Sequence, residues 1–254
     1  MILCKIRPST TITVFLAIII VQAFSACDKT DPLSSNSPIE TSIFKTIEHK
    51  GLDREYILYI PESYTGDNPV PLVFNFHGYT QQADDYMDYA DFRPIADTAN
   101  FIIVYPQGTL FNGLSHWNVG GAWTIGSTVD DVGFAETLID TISSEYNINL
   151  SKVYSTGFSN GGYLSFLLAC KLNDKITAIA PVAATMTPTT FGDCTPQHAT
   201  PILQVHGTND PLVPYNGSVI SLSVKKVLEY WINYNNCNST PIITNIEHDD
   251  KTYS

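Results

Sequence analysis

Four short apolar runs recur along the middle of the chain, and a glycine or a proline closely follows each one. These runs are Pro71–Phe76, Phe101–Tyr105, Lys152–Thr156 and Ile202–His206. Continuous apolar runs of this length are typical of strands that are buried on both faces of a sheet. Ser42–Glu48 and Glu55–Ile60 instead alternate polar and apolar positions around Lys50 and Gly51. That alternation predicts an opening hairpin.

Helical patterns separate the apolar runs. The clearest is Val132–Tyr146, where apolar residues recur near a period of 3.6, and the other predicted helices are Phe92–Thr98, Tyr163–Leu172 and Val219–Tyr234. Strands that alternate with helices predict a parallel sheet with helices on both faces. The sequence therefore predicts an α/β domain with a mostly parallel central sheet.

The composition fits a folded protein and excludes one class of partner. Of the 254 residues, 44% are hydrophobic and 15% are charged, which is a globular composition. A chain of this length can bury one large core. The formal net charge is -12 at pH 7. Because binding to phosphates needs clustered Lys and Arg, we expect no nucleic-acid partner.

An apolar stretch, Ile12–Phe24, precedes the predicted domain. It follows Lys5 and Arg7 and leads into small residues before Cys27, which is the arrangement of a signal peptide. The stretch is well short of the roughly 20 residues that span a bilayer. We expect residues 1–26 to be removed, residues 27–41 to form a flexible tether and residues 42–254 to form the domain.

The segment that ends at Cys27 resembles a bacterial lipoprotein processing site, in which the cysteine becomes lipidated. The alternative is ordinary secretion with an incidental cysteine. In either case we expect the protein to lie outside the cytoplasm, secreted or anchored at the cell surface. Contact with a membrane is then expected only through the lipid anchor.

One motif carries candidate chemistry. Gly157–Gly161 (GFSNG) follows the run Lys152–Thr156 and precedes a helical pattern, which is the setting in which G-x-S-x-G presents a nucleophilic serine. The glycines remove side chains that would collide in the sharp turn, and the helix N-terminus directs N–H groups at the hydroxyl. The alternative is a glycine-rich turn with a capping serine. We interpret Ser159 as the nucleophile.

A carboxylate follows a later predicted strand. Asp210 lies just past Ile202–His206, where it could orient an imidazole beside the nucleophile. The alternative is a turn-forming aspartate before Pro211. We interpret Asp210 as the acid of a catalytic triad.

Ester chemistry at a serine also needs two backbone N–H donors for the developing oxyanion. The first is expected from Asn160, which follows the nucleophile. The second is expected from the loop after Pro71–Phe76, where Tyr79 is our choice and Thr80 is the alternative. His77, in the same loop, is interpreted as structural because it precedes Ser159 in the chain.

Six blocks in this order resemble the polyhydroxybutyrate depolymerase-like esterases, which include feruloyl and acetyl-xylan esterases. The blocks are His77–Gln81, Trp117–Asn118, Val129–Phe134, Gly157–Gly162, Ala180–Ala183 and His206–Asp210. The resemblance implies an α/β-hydrolase fold and carboxylester hydrolysis without a metal or an organic cofactor. It also implies a disulfide between Cys170 and Cys194.

The general base is where the sequence departs from the family. Only His248 follows Asp210, and a strand predicted at Pro241–Glu247 would position it. The family's histidine lies in a later His-x-Trp-Pro segment that this sequence does not contain. We therefore expect the C-terminal part of the domain to be missing, with Cys237 unpaired, a sheet edge exposed and catalysis poor. The alternative is that His248 is the base.

Three functions follow from these residues. The first is an exported serine carboxylesterase that removes feruloyl or acetyl groups from plant cell-wall polysaccharide. The second is the same chemistry on a polyester such as polyhydroxybutyrate, and the third is a non-catalytic surface binding protein with a degenerate hydrolase fold. Trp117 and Trp123 are interpreted as lining the substrate cleft, the alternative being that they pack the long loop down. Asp131 is interpreted as the cap of the helix that follows it.

Overall fold

The computed structural model describes residues 2–3, 42–238 and 240–244. Cys27, the predicted tether, His248 and all of the predicted signal peptide except Ile2–Leu3 lie outside the described residues. The strands are β1 (Ile2–Leu3), β2 (Ser42–His49), β3 (Leu52–Tyr59), β4 (Val70–Phe76), β5 (Ile102–Pro106), β6 (Thr109–Phe111), β7 (Leu114–His116), β8 (Ile148–Phe158), β9 (Ala178–Val182) and β10 (Leu203–Gln204). The α-helices are α1 (Ala83–Tyr89), α2 (Arg93–Ala99), α3 (Asp131–Glu145), α4 (Asn160–Lys171), α5 (Pro188–Gly192) and α6 (Val224–Tyr234).

The central sheet has the strand order β2-β3-β5-β4-β8-β9. Strands β2 and β3 form the predicted hairpin, and β3 pairs antiparallel with β5. The pairs β4–β5, β4–β8 and β8–β9 are all parallel. Two parallel bridges, Ile179–Ile202 and Val182–Val205, place β10 beside β9. The carboxyl ends of β4, β8, β9 and β10 therefore meet at one edge of the sheet.

The apolar runs form strands because both of their faces are buried. Along β4, Leu72, Phe74 and Phe76 pack into one core layer, while Val73 packs into the other. The first layer lies under α3, α4 and α6, and the second lies under α1 and α2. The prediction of a mostly parallel sheet covered on both faces is confirmed.

Several boundaries differ from the sequence-based expectations. Helix α1 and strand β9 were not among the predicted elements, and α4 begins at Asn160 rather than Tyr163. The last helix begins at Val224 rather than Val219, because nearby backbone groups bond elsewhere: Leu222 N donates to Met186 O over 3.0 Å. The expectation of a strand from Pro241 is wrong for its described part, since residues 241–244 are not in a strand.

One expectation about the cysteines is confirmed, and another is corrected. Cys170 and Cys194 form a disulfide with their Cα atoms 4.7 Å apart, as the resemblance implies. Cys237 is itself disulfide-bonded, so the expectation that it is unpaired is wrong. Strand β1 pairs antiparallel with β10 over its two residues, but β1 belongs to the segment expected to be removed as a signal peptide, so an exposed sheet edge in the processed chain stays a prediction.

None of the helices in the described residues combines the length and the hydropathy that crossing a bilayer requires.

Candidate active site

Ser159 occupies the sharp turn between β8 and α4. Its backbone has φ 50° and ψ -116°, a conformation that costs a non-glycine residue about 1–3 kcal/mol. Two hydrogen bonds hold the turn: Ser159 N donates to Val182 O over 2.9 Å, and Tyr163 N donates to Ser159 O over 3.0 Å. The serine stands at the N-cap position, yet its side chain makes no capping hydrogen bond. The turn therefore holds a strained serine that is not acting as an ordinary helix cap.

The glycines beside Ser159 allow this turn to pack directly on the end of β4. A Cβ atom on Gly161 would lie 2.1 Å from the carbonyl oxygen of Phe76, and one on Gly157 would lie 2.6 Å from the same oxygen. Both distances are far below a normal contact, so neither position has room for a side chain. The close approach brings the serine turn against the start of the loop that carries Tyr79.

The first expected oxyanion donor, Asn160, begins α4, where backbone N–H groups have no acceptor within the helix. Its buried side chain is fixed on both of its polar atoms. Trp117 N donates to Asn160 Oδ1 over 2.7 Å, and Asn160 Nδ2 donates to Trp117 O over 3.1 Å. The amide side chain thus holds the residue after the nucleophile in one orientation.

The structure distinguishes between the two candidates for the second donor. Thr80 N already donates to Ser115 O over 2.8 Å. An N–H that is committed to a protein acceptor is a poor oxyanion ligand, because that bond would have to break. Tyr79, which is half-buried, therefore remains the better candidate in this loop.

His77 supports this loop and is fully buried. Gly108 N donates to its Nε2 over 2.9 Å, which places the proton on Nδ1, and Nδ1 donates to Gly78 O over 2.7 Å. Burial lowers the pKa of His77 from 6.5 to about 4, so the ring is neutral at pH 7. Because both ring nitrogens are occupied in this way, His77 is a structural residue, in agreement with the sequence interpretation.

Asp210 lies in the loop after β10, at the same edge of the sheet as Ser159. Its Oδ1 accepts hydrogen bonds from Leu212 N and Val213 N, each over 2.9 Å, which is the turn-forming role. Its Oδ2 lies 3.8 Å from Nε2 of His206. One oxygen therefore shapes the loop while the other remains turned toward an imidazole.

That imidazole does not have the surroundings of a general base. The Nε2 of His206 lies 2.8 Å from Val213 O, and its Nδ1 lies 3.3 Å from Ala184 O. Both ring nitrogens of His206 therefore face carbonyl oxygens. The sequence did not indicate that His206 lies beside Asp210. His248, the only histidine after Asp210, lies outside the described residues.

The two tryptophans of the long loop occupy different environments. Trp117 is fully buried, edge-on to Phe76, and its Nε1 donates to His77 O over 2.9 Å. The expectation that Trp117 lines a cleft is wrong, because its ring is a packing element beneath the loop. Trp123 is half-buried and lies edge-on to Tyr163, with ring centroids 5.1 Å apart. Its role in a cleft stays a prediction.

Asp131 does not cap α3. The cap is Asp130, whose Oδ1 accepts a hydrogen bond from Gly133 N over 2.9 Å, because the helix begins one residue earlier than predicted. Asp131 instead forms a buried ion pair with Arg54. No local signal in the sequence indicates this pair, because Arg54 lies between Asp53 and Glu55 at the polar start of β3.

The described residues contain no group of three or more His, Cys, Asp and Glu side chains that could hold a metal ion. A groove of about 290 Å³ lies between the β2–β3 hairpin and the start of α1, and its lining includes none of the candidate catalytic residues.

Comparisons with known proteins find esterases that are similar to this chain. A family described as phospholipase/carboxylesterase matches residues 129–249. Feruloyl esterase B of Piromyces equi is 30% identical over 199 residues, which cover 74% of this chain and 37% of that protein. The bifunctional acetylxylan esterase/xylanase XynS20E of Neocallimastix patriciarum is 31% identical over 166 residues, which cover 65% of this chain and 23% of that protein. The chain thus spans less than half of the length of these two relatives.

Among solved structures, a thermostable esterase is similar with a TM-score of 0.59 and 22% identity. The likeness covers 75% of this chain and 52% of that chain. It supports the fold that the strand order and the serine turn describe.

We predict that Gly161→Ala destabilises the protein by about 1–3 kcal/mol, because the added Cβ would collide with the Phe76 carbonyl. The matched control is Gly192→Ala, where no atom lies within 4 Å of the added Cβ and the expected change is within about 0.5 kcal/mol. Urea denaturation of both variants measures the difference. Equal stabilities would contradict the close packing described here.

A second prediction concerns pH. The pKa of His77 falls from 6.5 to about 4 on folding, so between these values the unfolded chain binds a proton that the folded protein does not. The stability is therefore fully present above pH 6.5 and declines as the pH falls toward 4, by up to about 3 kcal/mol from this group. His77→Gln should reduce the pH dependence of the unfolding free energy over this range. Parallel curves for the two proteins would show that His77 is not the group responsible.

Proposed function

We propose that this chain, which has an α/β-hydrolase fold and is similar to feruloyl esterases, is a serine carboxylesterase acting on acyl esters of plant cell-wall polysaccharide. The observation that carries the proposal is the strained turn at Ser159, with glycines packed against β4. A turn of this kind raises a serine hydroxyl above the carboxyl edge of the sheet, where a substrate carbonyl can reach it.

The proposed reaction proceeds through an acyl-enzyme. The Ser159 oxygen forms a bond to the ester carbonyl carbon while its proton passes to an imidazole, and N–H groups of Asn160 and Tyr79 stabilise the oxyanion. The sugar alcohol leaves with that proton. Water then attacks the acyl-enzyme carbonyl carbon while the imidazole takes one proton from it, and the imidazole transfers that proton to the Ser159 oxygen as the bond to the acyl group breaks and the carboxylic acid departs.

Asp210 has the orienting role in this proposal. Its Oδ1 is committed to two backbone N–H groups, which fix the carboxylate and leave Oδ2 for the imidazole. The chemistry requires no metal and no organic cofactor, since serine, imidazole and backbone donors supply every step. The imidazole is proposed to lie after Asp210 in chain order, either at His248 or in the family's His-x-Trp-Pro segment, which this sequence does not contain.

We place this reaction outside the cytoplasm, because esterified polysaccharides are polymers of the extracellular space. The support is the N-terminal signal pattern that ends at Cys27. Either secretion or a lipid anchor at that cysteine would place the protein outside the cytoplasm. The names of the relatives point to feruloyl and acetyl-xylan esters as the substrates to test.

We predict that Ser159→Ala lowers turnover of p-nitrophenyl acetate by at least about 10³-fold and leaves the unfolding transition in place. The matched control is Ser144→Ala at an exposed position of α3, which should retain the parent rate. Feruloylated arabinoxylan, acetylated xylan and polyhydroxybutyrate then compare the polysaccharide and polyester alternatives. Binding of these polymers by a parent protein without turnover would instead indicate a non-catalytic binding protein.

The same assay identifies the base. The family resemblance predicts that His248→Ala leaves the rate unchanged, since the family's histidine lies in a different segment. A loss as large as that of Ser159→Ala would identify His248 as the base and correct that expectation.

A further inference from the structure

A buried ion pair lies beneath the candidate active site. Arg54 Nη2 donates to Asp131 Oδ1 over 2.7 Å, and the exposed fractions of the two side chains are 1% and 0%. The guanidinium also lies 3.8 Å from the ring centre of Phe134. The pair joins β3 to the first turn of α3.

Stability alone is a weak reason for such a pair. Removing two charges from water costs several kcal/mol per ion, and well-packed apolar replacements are often neutral or stabilising. This pair is also incompletely satisfied, because Nε and Nη1 of Arg54 have no hydrogen-bond partner among the described residues. The contacts of the second carboxylate oxygen indicate a more specific role.

Asp131 Oδ2 accepts a hydrogen bond from Asn118 N over 2.7 Å. The Asn118 side chain holds the surrounding loop, with Nδ2 donating to Val129 O over 2.9 Å. The ion pair thus fixes the backbone of the segment formed by Trp117 and Asn118, which we call the 117–118 segment.

The 117–118 segment contacts both sides of the candidate oxyanion hole. On one side, the backbone N and O of Trp117 bond to the Asn160 side chain over 2.7 and 3.1 Å. On the other side, Trp117 Nε1 donates to the carbonyl of His77, where the Tyr79 loop begins, over 2.9 Å. A shift of this segment would therefore move both proposed donors relative to each other.

We propose that Arg54 and Asp131 are positioning residues for the oxyanion hole, acting through the 117–118 segment on Asn160 and on the loop of Tyr79. The inference rests on the proposed function, because it assigns the ion pair a part in the same ester hydrolysis. Asp131 supplies the acceptor that fixes Asn118, and the contact with Arg54 holds that carboxylate in place.

The test compares two double variants that differ in the acceptor at position 131. Single substitution of Asp131 would leave the Arg54 charge buried without a partner and could unfold the protein. Arg54→Met with Asp131→Asn removes the charges but keeps an oxygen for Asn118 N. Arg54→Met with Asp131→Leu removes the charges and the oxygen. Asp130→Asn, which alters the helix cap beside the pair, is the control for local destabilisation.

The proposal predicts a split between kcat and KM on p-nitrophenyl acetate. The Leu double variant should lose about 10- to 100-fold in kcat, because misplaced N–H donors stabilise the oxyanion of the transition state less well. Its KM should stay within about threefold of the parent value. The Asn double variant and the control should stay within about threefold of the parent kcat. A purely structural pair would instead give both double variants the same kcat, which would overturn the proposal.

A second readout does not depend on turnover. In ¹H–¹⁵N spectra, the Trp117 indole N–H and the Asn160 side-chain amide should shift in the Leu double variant and keep parent-like positions in the Asn double variant. Unchanged resonances in the Leu variant would overturn the positioning role. If the parent lacks esterase turnover, the proposed function fails, and these spectra alone decide whether the pair positions the segment.

Discussion

The arrangement of the candidate site depends on one close contact, in which the turn between β8 and α4 packs against the carbonyl oxygen of Phe76. Gly157 and Gly161 both face that oxygen at distances that exclude a Cβ atom. Because β4 and β8 are neighbouring parallel strands, with Phe76 paired to Gly157, the loop after β4 and the serine turn after β8 leave the sheet side by side. The proposed nucleophile and both proposed oxyanion donors come from these two connections.

Holding a strained serine in this place requires support from several directions. The turn is bonded to β9 through Val182, and the loop after β4 is held by neutral His77, whose two ring nitrogens are both occupied. Beneath them, the 117–118 segment joins Asn160 to the His77 carbonyl. Such surroundings are what allows backbone strain of about 1–3 kcal/mol to persist. They also order the donors before substrate arrives, which is the main requirement of an oxyanion hole.

Local patterns were sufficient to predict much of the fold and the sharp turn that holds Ser159. Pro71–Phe76 and Phe101–Tyr105 are apolar on both faces, so their place within the sheet follows from composition and length. The setting of Ser159 likewise depends on residues close to it in sequence. Strand β9 was missed because Ala178–Val182 is a short run of small residues interrupted by Pro181.

The contacts that support the site could not be predicted in the same way, because they join distant parts of the chain. Nothing near Asp131 in the sequence indicates Arg54, and helix-cap preferences favoured a local role for this carboxylate. Trp117 was assigned to a cleft from its loop composition, whereas its burial follows from packing on Phe76 and His77. The two ring nitrogens of His206 are a similar case, since their carbonyl partners come from separate loops.

The most direct test of the account is covalent trapping of the nucleophile. A fluorophosphonate reacts with a serine whose hydroxyl is activated. The phosphoryl oxygen of the reagent then occupies the oxyanion hole. The folded protein is incubated with the reagent and digested, and the adduct is located by mass spectrometry, with heat-unfolded protein as the control. The account predicts a single adduct, on Ser159, that forms only in the folded protein. The absence of an adduct, or an adduct on another residue, would contradict it.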